Sequence, residues 1–379
     1  VHDLSSGEQT GTVPLPGLGS IGRLTERPEG GHEAWFAYTD NTTPVLVQHY
    51  DGQTGQTRTW ERAPGTVEVP RVRTEQVTYR SKDGTPVRML IISGGSRASA
   101  SPDQHGTLPS QDGAGVEPRS PRPAILYGYG GFGISMTPGY SASILAWAEA
   151  GGVYAIASLR GGGEEGEEWH RAGMREHKQD VFDDFYAAAE KLIADGWTTA
   201  GQLVISGGSN GGLLVGVAIT QQPELFAAAI CSAPLLDMVR YEKFGLGQTW
   251  NDEYGTASDP RELGWLLSYS PYHHVREGTA YPAVLFTIFD SDTRVDPMHA
   301  RKMCAALQHA VRSGHPKGAV LLRRESSAGH GARAVSRSVA LAAHTLAFAA
   351  FHTGQAIPGK PDESSAAPDE VIGEAELTM

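Results

Sequence analysis

A serine set among glycines, Gly207-Gly208-Ser209-Asn210-Gly211-Gly212, is the cluster in this chain best suited to covalent chemistry. It follows the apolar run Leu203-Val204-Ile205 and precedes the helix-compatible stretch Leu213-Leu214-Val215. In that context G-x-S-x-G makes a tight turn from strand to helix that holds a hydroxyl clear of its neighbours. Glycines flank it because side chains there would collide with the strand or the helix. A hydroxyl attacks a carbonyl only when a base takes its proton, and the base needs an orienting acid. In a parallel sheet with this turn, the order is serine, acid, histidine, each on a loop at the carboxyl end of a strand. Downstream, the run from Val284 to Phe289 ends in Asp290-Ser291-Asp292, and Val320-Leu321-Leu322 ends shortly before Gly329-His330-Gly331. His330 is therefore the expected base, and either Asp290 or Asp292 the acid; spacing alone does not choose between them. The other histidines are worse placed. His299, His309 and His344 fall in helical patterns, His273 and His274 follow a proline in a turn, and His170 and His177 precede the serine.

Acyl transfer also needs two donors for the oxyanion. One is expected from the backbone N–H of Asn210, directly after the nucleophile, and the other from the loop after an early strand. That loop is Tyr127-Gly128-Tyr129-Gly130-Gly131-Phe132-Gly133. It is a poor dinucleotide fingerprint, because no acidic residue follows a second strand at the required distance and the helix is displaced. The run Arg160-Gly161-Gly162-Gly163-Glu164 lacks a P-loop lysine and leads into Glu165, Glu167 and Glu168, so a structural loop is expected there.

The elements that would carry these residues can be read from the apolar patterning. Short apolar runs alternate with helix-like stretches after Pro123, which predicts parallel strands and crossover helices. The strands are expected at Ala124 to Tyr127, Val153 to Leu159, Leu203 to Ser206, Ala227 to Cys231, Ala283 to Ile288 and Ala319 to Leu322. Helices are expected at Ser141 to Ala150, Val181 to Ala194, Gly212 to Thr220, Pro297 to Ser313 and Arg333 to His352. This is a doubly wound α/β sheet, mostly parallel, of the α/β-hydrolase kind. Ahead of it, Ala34 to Tyr38 and Val45 to Tyr50 predict strands of a small all-β piece, and Glu75 to Tyr79 with Val87 to Ile92 predict a hairpin turned at Lys82-Asp83-Gly84. Residues 94–123, rich in Ser, Gly, Pro and Asp, predict an exposed flexible loop, and residues 357–379 a loose tail.

Composition bounds what the chain can do. With 379 residues, 40% of them hydrophobic and 20% charged, it can bury one large core and at most two domains. A net charge of -12 without a basic stripe argues against a nucleic-acid partner. No apolar stretch is long enough to span a bilayer, so no membrane partner is expected; the first twenty residues lack signal-peptide character, which leaves open a signal peptide lost with a truncated start. Cys231 and Cys304 lie far apart without a C-x-x-C or Cys/His cluster, so no metal site or disulfide framework is expected, and the cytoplasm is the expected location. The opening Val1-His2-Asp3-Leu4, without an initiator Met, suggests a piece of a longer protein.

Five segments taken together resemble the prolyl oligopeptidase family of serine peptidases. They are Leu126-Tyr127-Gly128-Tyr129-Gly130-Gly131-Phe132, Arg160-Gly161-Gly162-Gly163-Glu164, Gly207-Gly208-Ser209-Asn210-Gly211-Gly212, Asp292-Thr293-Arg294-Val295 and Ala328-Gly329-His330-Gly331, in the family's order. The resemblance implies Asp292 as the acid of the triad and the hydroxyl of Tyr129 as the second oxyanion donor. It also implies cleavage of short peptides after proline, with no metal or organic cofactor. The proline pocket would fall on Phe132, Leu235, Leu246, Trp250 and Tyr254, with Trp250 four residues before Tyr254-Gly255, and Arg294 would hold a substrate carbonyl. The same likeness implies that residues 1–69 are the closing end of a β-propeller and 70–356 the catalytic domain. A carboxylesterase shares the triad and is the main alternative, though Arg294 and Trp250 speak against it; an inactive truncated chain is the other.

Overall fold

The computed structural model describes residues 1–65, 69–94, 120–311, 318–326, 328–330 and 334–356. Most of the expected loop at 94–123 and all of the expected tail at 357–379 lie outside these residues, although Gly94 itself ends a strand.

Two sheets organise the chain. The first is antiparallel and follows chain order: β1 (Ser20–Glu26), β2 (Glu33–Thr39), β3 (Leu46–Asp51) and β4 (Gln56–Arg62). Its small core is Phe36, Tyr38 and Leu46. Among its ties to the rest of the chain, Ser20 Oγ donates to the Pro138 carbonyl at 2.6 Å, and the Tyr140 N–H to Thr39 Oγ1 at 3.3 Å.

The remaining elements are β5 (Val72–Arg80), β6 (Pro86–Gly94), β7 (Ala124–Tyr127), α1 (Ala142–Glu149), β8 (Val153–Ala157), α2 (Glu167–Arg171), α3 (Lys178–Ala194), β9 (Leu203–Gly208), α4 (Asn210–Gln221), β10 (Ala228–Ser232), α5 (Asn251–Tyr254), α6 (Pro260–Tyr269), β11 (Ala283–Phe289), α7 (Met298–Ala310), β12 (Val320–Glu325) and α8 (Val335–Thr353). The strands form an eight-stranded sheet in the order β12-β11-β10-β9-β7-β8-β6-β5. From β12 to β8 every pairing is parallel; β6 and β5 join antiparallel at one edge. The expected mixed sheet with flanking helices is thus present, and the hairpin at its edge extends the same sheet.

Strand periodicity explains why one sheet builds two cores. Along β9, Leu203 and Ile205 face one side and Val204 the other; along β11, Val284, Phe286 and Ile288 oppose Ala283 and Leu285. The larger core receives α3, α4 and α7, the smaller α1 and α8 through Trp147 and Phe348. Apolar residues on both faces are what the continuous apolar strands required. The Arg160 loop is structural, as expected. The buried Arg160 guanidinium holds Asp184 of α3, with an Nη2–Oδ1 distance of 2.6 Å, and reaches Asp83 in the β5–β6 turn at 2.6 Å. No described helix is long and apolar enough to cross a membrane.

The strand order has one consequence for the site. From β7 the chain moves to β8 on one side, and from β9 to β10 on the other, so β7 and β9 flank a topological switch point. Loops diverge there and open a crevice at the carboxyl ends of the strands.

Candidate active site

Ser209 sits in that crevice, between the last residue of β9 and the first of α4. Its backbone is left-handed, with φ 57° and ψ -118°. Such a conformation costs a non-glycine residue about 1–3 kcal/mol and persists only where the surroundings enforce it. Here strand and helix press together around it. A Cβ on Gly207 would lie 2.2 Å from the Gly211 carbonyl oxygen, and one on Gly212 2.6 Å from the Pro234 side chain. The Ser209 N–H donates to the Ser232 carbonyl of β10 at 2.9 Å, which fixes the turn to the neighbouring strand.

His330, on the loop after β12, places Nε2 3.1 Å from Ser209 Oγ and Nδ1 2.6 Å from Asp292 Oδ2, on the loop after β11. The other Asp292 oxygen accepts the backbone N–H groups of Arg294 and Val295 at 2.9 and 3.0 Å. Burial alone would raise the Asp292 carboxyl, but the His330 hydrogen bond and the Val295 amide outweigh it and hold it below the usual carboxylate range. Asp290, the alternative that spacing left open, instead takes Arg324 Nε on both oxygens at 2.7 and 2.8 Å and stands apart from the imidazole. A hydroxyl facing one ring nitrogen, with a carboxylate on the other, can pass its proton to the ring as the oxygen attacks a carbonyl.

The loop after β7 brings Tyr129 to the same place. Burial raises its phenol, and a hydrogen bond with the Ser209 side chain acts against that rise. Asn210 is the first residue of α4, where backbone N–H groups have no acceptor within the helix. Its buried side chain adds a bond absent from the sequence reading, donating from Nδ2 to the Tyr129 carbonyl at 2.5 Å.

An aromatic wall stands beside the serine. The Phe132 ring meets Trp250 edge-on at 6.4 Å and Tyr254 at 5.6 Å, and Tyr254 meets Tyr241 at 5.5 Å. Leu235 is buried in the apolar cluster against which Phe132 and Trp250 pack. Leu246 is largely exposed; its N–H donates to the Arg294 carbonyl at 3.1 Å, so the segment before Trp250 is fastened to the loop that carries Asp292. Arg294 is exposed, and its charge acts on the Tyr129 phenol.

A family model described as the prolyl oligopeptidase family matches residues 138–356. The chain is 37% identical over 352 residues to a prolyl endopeptidase of Elizabethkingia miricola, covering 92% of this chain and 46% of that protein. The chain belongs to the prolyl oligopeptidase family. A solved prolyl endopeptidase superposes with a TM-score of 0.80 at 43% identity, over 92% of this chain and 48% of that one. Prolyl oligopeptidase B from Galerina marginata, bound to a macrocyclisation substrate, gives 0.78 at 33% identity, over 89% and 45%. The chain spans about half the length of the relatives it matches.

Sequence reasoning missed a further layer around this candidate site. Lys178 opens α3 with its side chain 1% exposed and pairs with Glu253 at 2.8 Å, itself 4% exposed; His170 Nε2 lies 2.9 Å from the other Glu253 oxygen. Burial would raise the Glu253 carboxyl, but Lys178 holds it below its ordinary range. A lysine at the first position of an amphipathic helix reads as solvated, and only the loops folded over it make it internal. His299, set aside as a base because it falls in a helical pattern, is in the core. Its Nδ1 accepts the N–H groups of Leu236 and Asp237 at 3.3 and 3.1 Å, below the strand end that leads to Leu235.

Proposed function

We propose that this chain carries the active site of a serine endopeptidase that cleaves short peptides on the carboxyl side of proline through an acyl-enzyme. The observation that carries the reading is a hydroxyl–imidazole–carboxylate line at 3.1 and 2.6 Å opening beside the Phe132, Trp250 and Tyr254 rings. Ser209 Oγ bonds to the carbonyl carbon while its proton passes to His330 Nε2; Asp292 holds the tautomer and offsets the charge on the ring. The Asn210 N–H and Tyr129 hydroxyl donate to the oxyanion. The C–N bond then breaks and the amine leaves with the proton from His330. Water, deprotonated by His330, attacks the ester and returns Ser209 to its hydroxyl form. Phe132, Leu235, Leu246, Trp250 and Tyr254 form the pocket. A flat aromatic face suits a ring that has no N–H to satisfy, and an apolar wall leaves no polar group of the protein unpaired. Arg294 takes a substrate carbonyl.

Several relatives bear the name prolyl endopeptidase or prolyl oligopeptidase, which supports the specificity. We assign residues 70–356 to the catalytic domain and the first sheet, within 1–69, to the closing end of a β-propeller. Two free, buried cysteines favour a cytoplasmic setting. A fluorophosphonate probe tests the reading directly. It is expected to label the chain at Ser209, with labelling and hydrolysis of a Gly-Pro amide abolished in both Ser209→Ala and His330→Ala. Labelling that persists at another serine in Ser209→Ala, with hydrolysis retained, would overturn it.

A further inference from the structure

The loop that carries Tyr129 and Phe132 has no regular structure of its own, and Phe132 adopts φ 57°, a left-handed conformation unfavourable for a bulky side chain. Something outside the loop must hold it. The Lys178 ammonium donates to the Gly130 carbonyl at 3.1 Å as well as to Glu253 at 2.8 Å, and Glu253 accepts the Phe132 N–H. The same ammonium lies 5.3 Å from the centre of the Tyr254 ring. Tyr254 follows Glu253 in sequence, and its hydroxyl donates to Asn210 Oδ1 at 2.8 Å. Asn210 Nδ2 in turn donates to the Tyr129 carbonyl. These contacts close a circuit: Tyr129 and Gly130 to Lys178, to Glu253 and Tyr254, to Asn210, and back to Tyr129. A buried ion pair is poor value for stability, since well-packed apolar residues usually do as well or better. Its position therefore calls for another explanation.

We propose that Lys178 and Glu253 are positioning residues, a buried pair that fixes the Tyr129–Phe132 segment so that oxyanion donor and pocket wall keep one geometry relative to Ser209. Neither side chain touches substrate; both act through the loop. The proposal rests on the endopeptidase reading for its catalytic consequence, and on the tether alone for its structural one. Displacing a donor by about 1 Å costs on the order of 100-fold in rate.

The test compares the parent chain with Lys178→Met, the apolar double variant Lys178→Met/Glu253→Leu, and Lys178→Arg. Three readouts are taken: thermal midpoint, kcat and KM for a Gly-Pro amide, and hydrogen exchange of the segment 128–133. Lys178→Met takes the ammonium from the buried Glu253 carboxylate, leaving it His170 and the Phe132 N–H, and is expected to lower the midpoint. The double variant is expected to recover the midpoint, yet to show kcat reduced at least tenfold, KM changed less, and faster exchange in 128–133. Lys178→Arg, which can still donate to both partners, is expected to recover part of kcat. A double variant with recovered midpoint, kcat and KM within twofold of the parent, and parental exchange would overturn the proposal and leave the pair a structural one. Exchange decides the tether whether or not the chain turns over, and absence of Ser209 labelling in the parent would count against the endopeptidase reading alone.

Discussion

Trp250 meets Phe132 edge-on and is proposed as one wall of the pocket, so its removal tests selectivity more than rate. Aromatic stacking on a proline ring contributes on the order of 1 kcal/mol beyond burial. Trp250→Ala is therefore expected to lower the Pro/Ala ratio of kcat/KM by about fivefold, and an unchanged ratio would remove Trp250 from the pocket. His299 gives a prediction about stability. Burial depresses its pKa from 6.5 to about 4, and its Nδ1 accepts two backbone amides. A depressed folded pKa means that the unfolded chain binds the proton more readily. The stabilisation is thus whole above pH 6.5 and is lost progressively as pH falls toward 4. It amounts to about 3 kcal/mol at about 1.4 kcal/mol per unit. His299→Gln, which keeps an acceptor that does not titrate, is expected to flatten the acid limb of a urea-midpoint profile; an unaltered limb would show that other groups control it. Ser209 and His330 were legible because their places at strand ends are fixed by chain order. The choice between Asp290 and Asp292 was not legible in spacing, since it depends on Arg324 from a neighbouring strand claiming one of them. Lys178 and His299 were illegible as buried groups for the same kind of reason.

At the scale of elements, the close approach of β9 and α4 is the most demanding feature. Gly207→Ala places a methyl against the Gly211 carbonyl, and relief requires strand and helix to separate where Ser209 is held. Overpacking of this kind costs about 1–3 kcal/mol, so labelling of Ser209 is expected to slow by one to two orders of magnitude while the fold persists. Parental labelling kinetics would mean that the elbow tolerates the methyl. The parallel strands and five main helices could be read from apolar runs and helical spacing. β1 and β4 could not, because SIGRLTE and QTRTWER are mostly exposed and carry almost no alternating apolar face. The helix α6 had a legible signal that went unread: Asp259 before Pro260, with its side chain accepting the Arg261 and Glu262 N–H groups at 2.8 and 3.1 Å. Asp259→Ala is expected to cost about 1 kcal/mol, visible as a lower urea midpoint at unchanged m-value.

For the whole molecule, the first sheet presents Ile21, Leu24 and Trp60 to solvent, and the relatives are about twice as long as this chain. Produced as residues 1–379 alone, the chain is expected to bind a hydrophobic dye or to self-associate in sedimentation. If the further length of the relatives supplies a filter on substrate size, the isolated chain should cleave a long unfolded Pro peptide as readily as a short one. A dye-negative monomer that still rejects long peptides would place the filter within these residues. The attachment of the β5–β6 hairpin to the main sheet was beyond the sequence, because β6 pairs with β8 across a long separation that no local pattern encodes.

The order in which β9, β11 and β12 occur along the chain also bears on when the site at Ser209 is assembled. Ser209 and His330 are separated by 121 residues, and His330 follows an edge strand that, among the described residues, pairs with β11 alone. During synthesis the nucleophile emerges long before its base, and the pair exists only once β12 has joined the sheet. The hydrogen bond between Ser209 and His330 is then among the last contacts the growing polypeptide completes, with α8 and the residues after it still to come. A copy lacking that final strand would hold Ser209 in its turn without the imidazole that faces it.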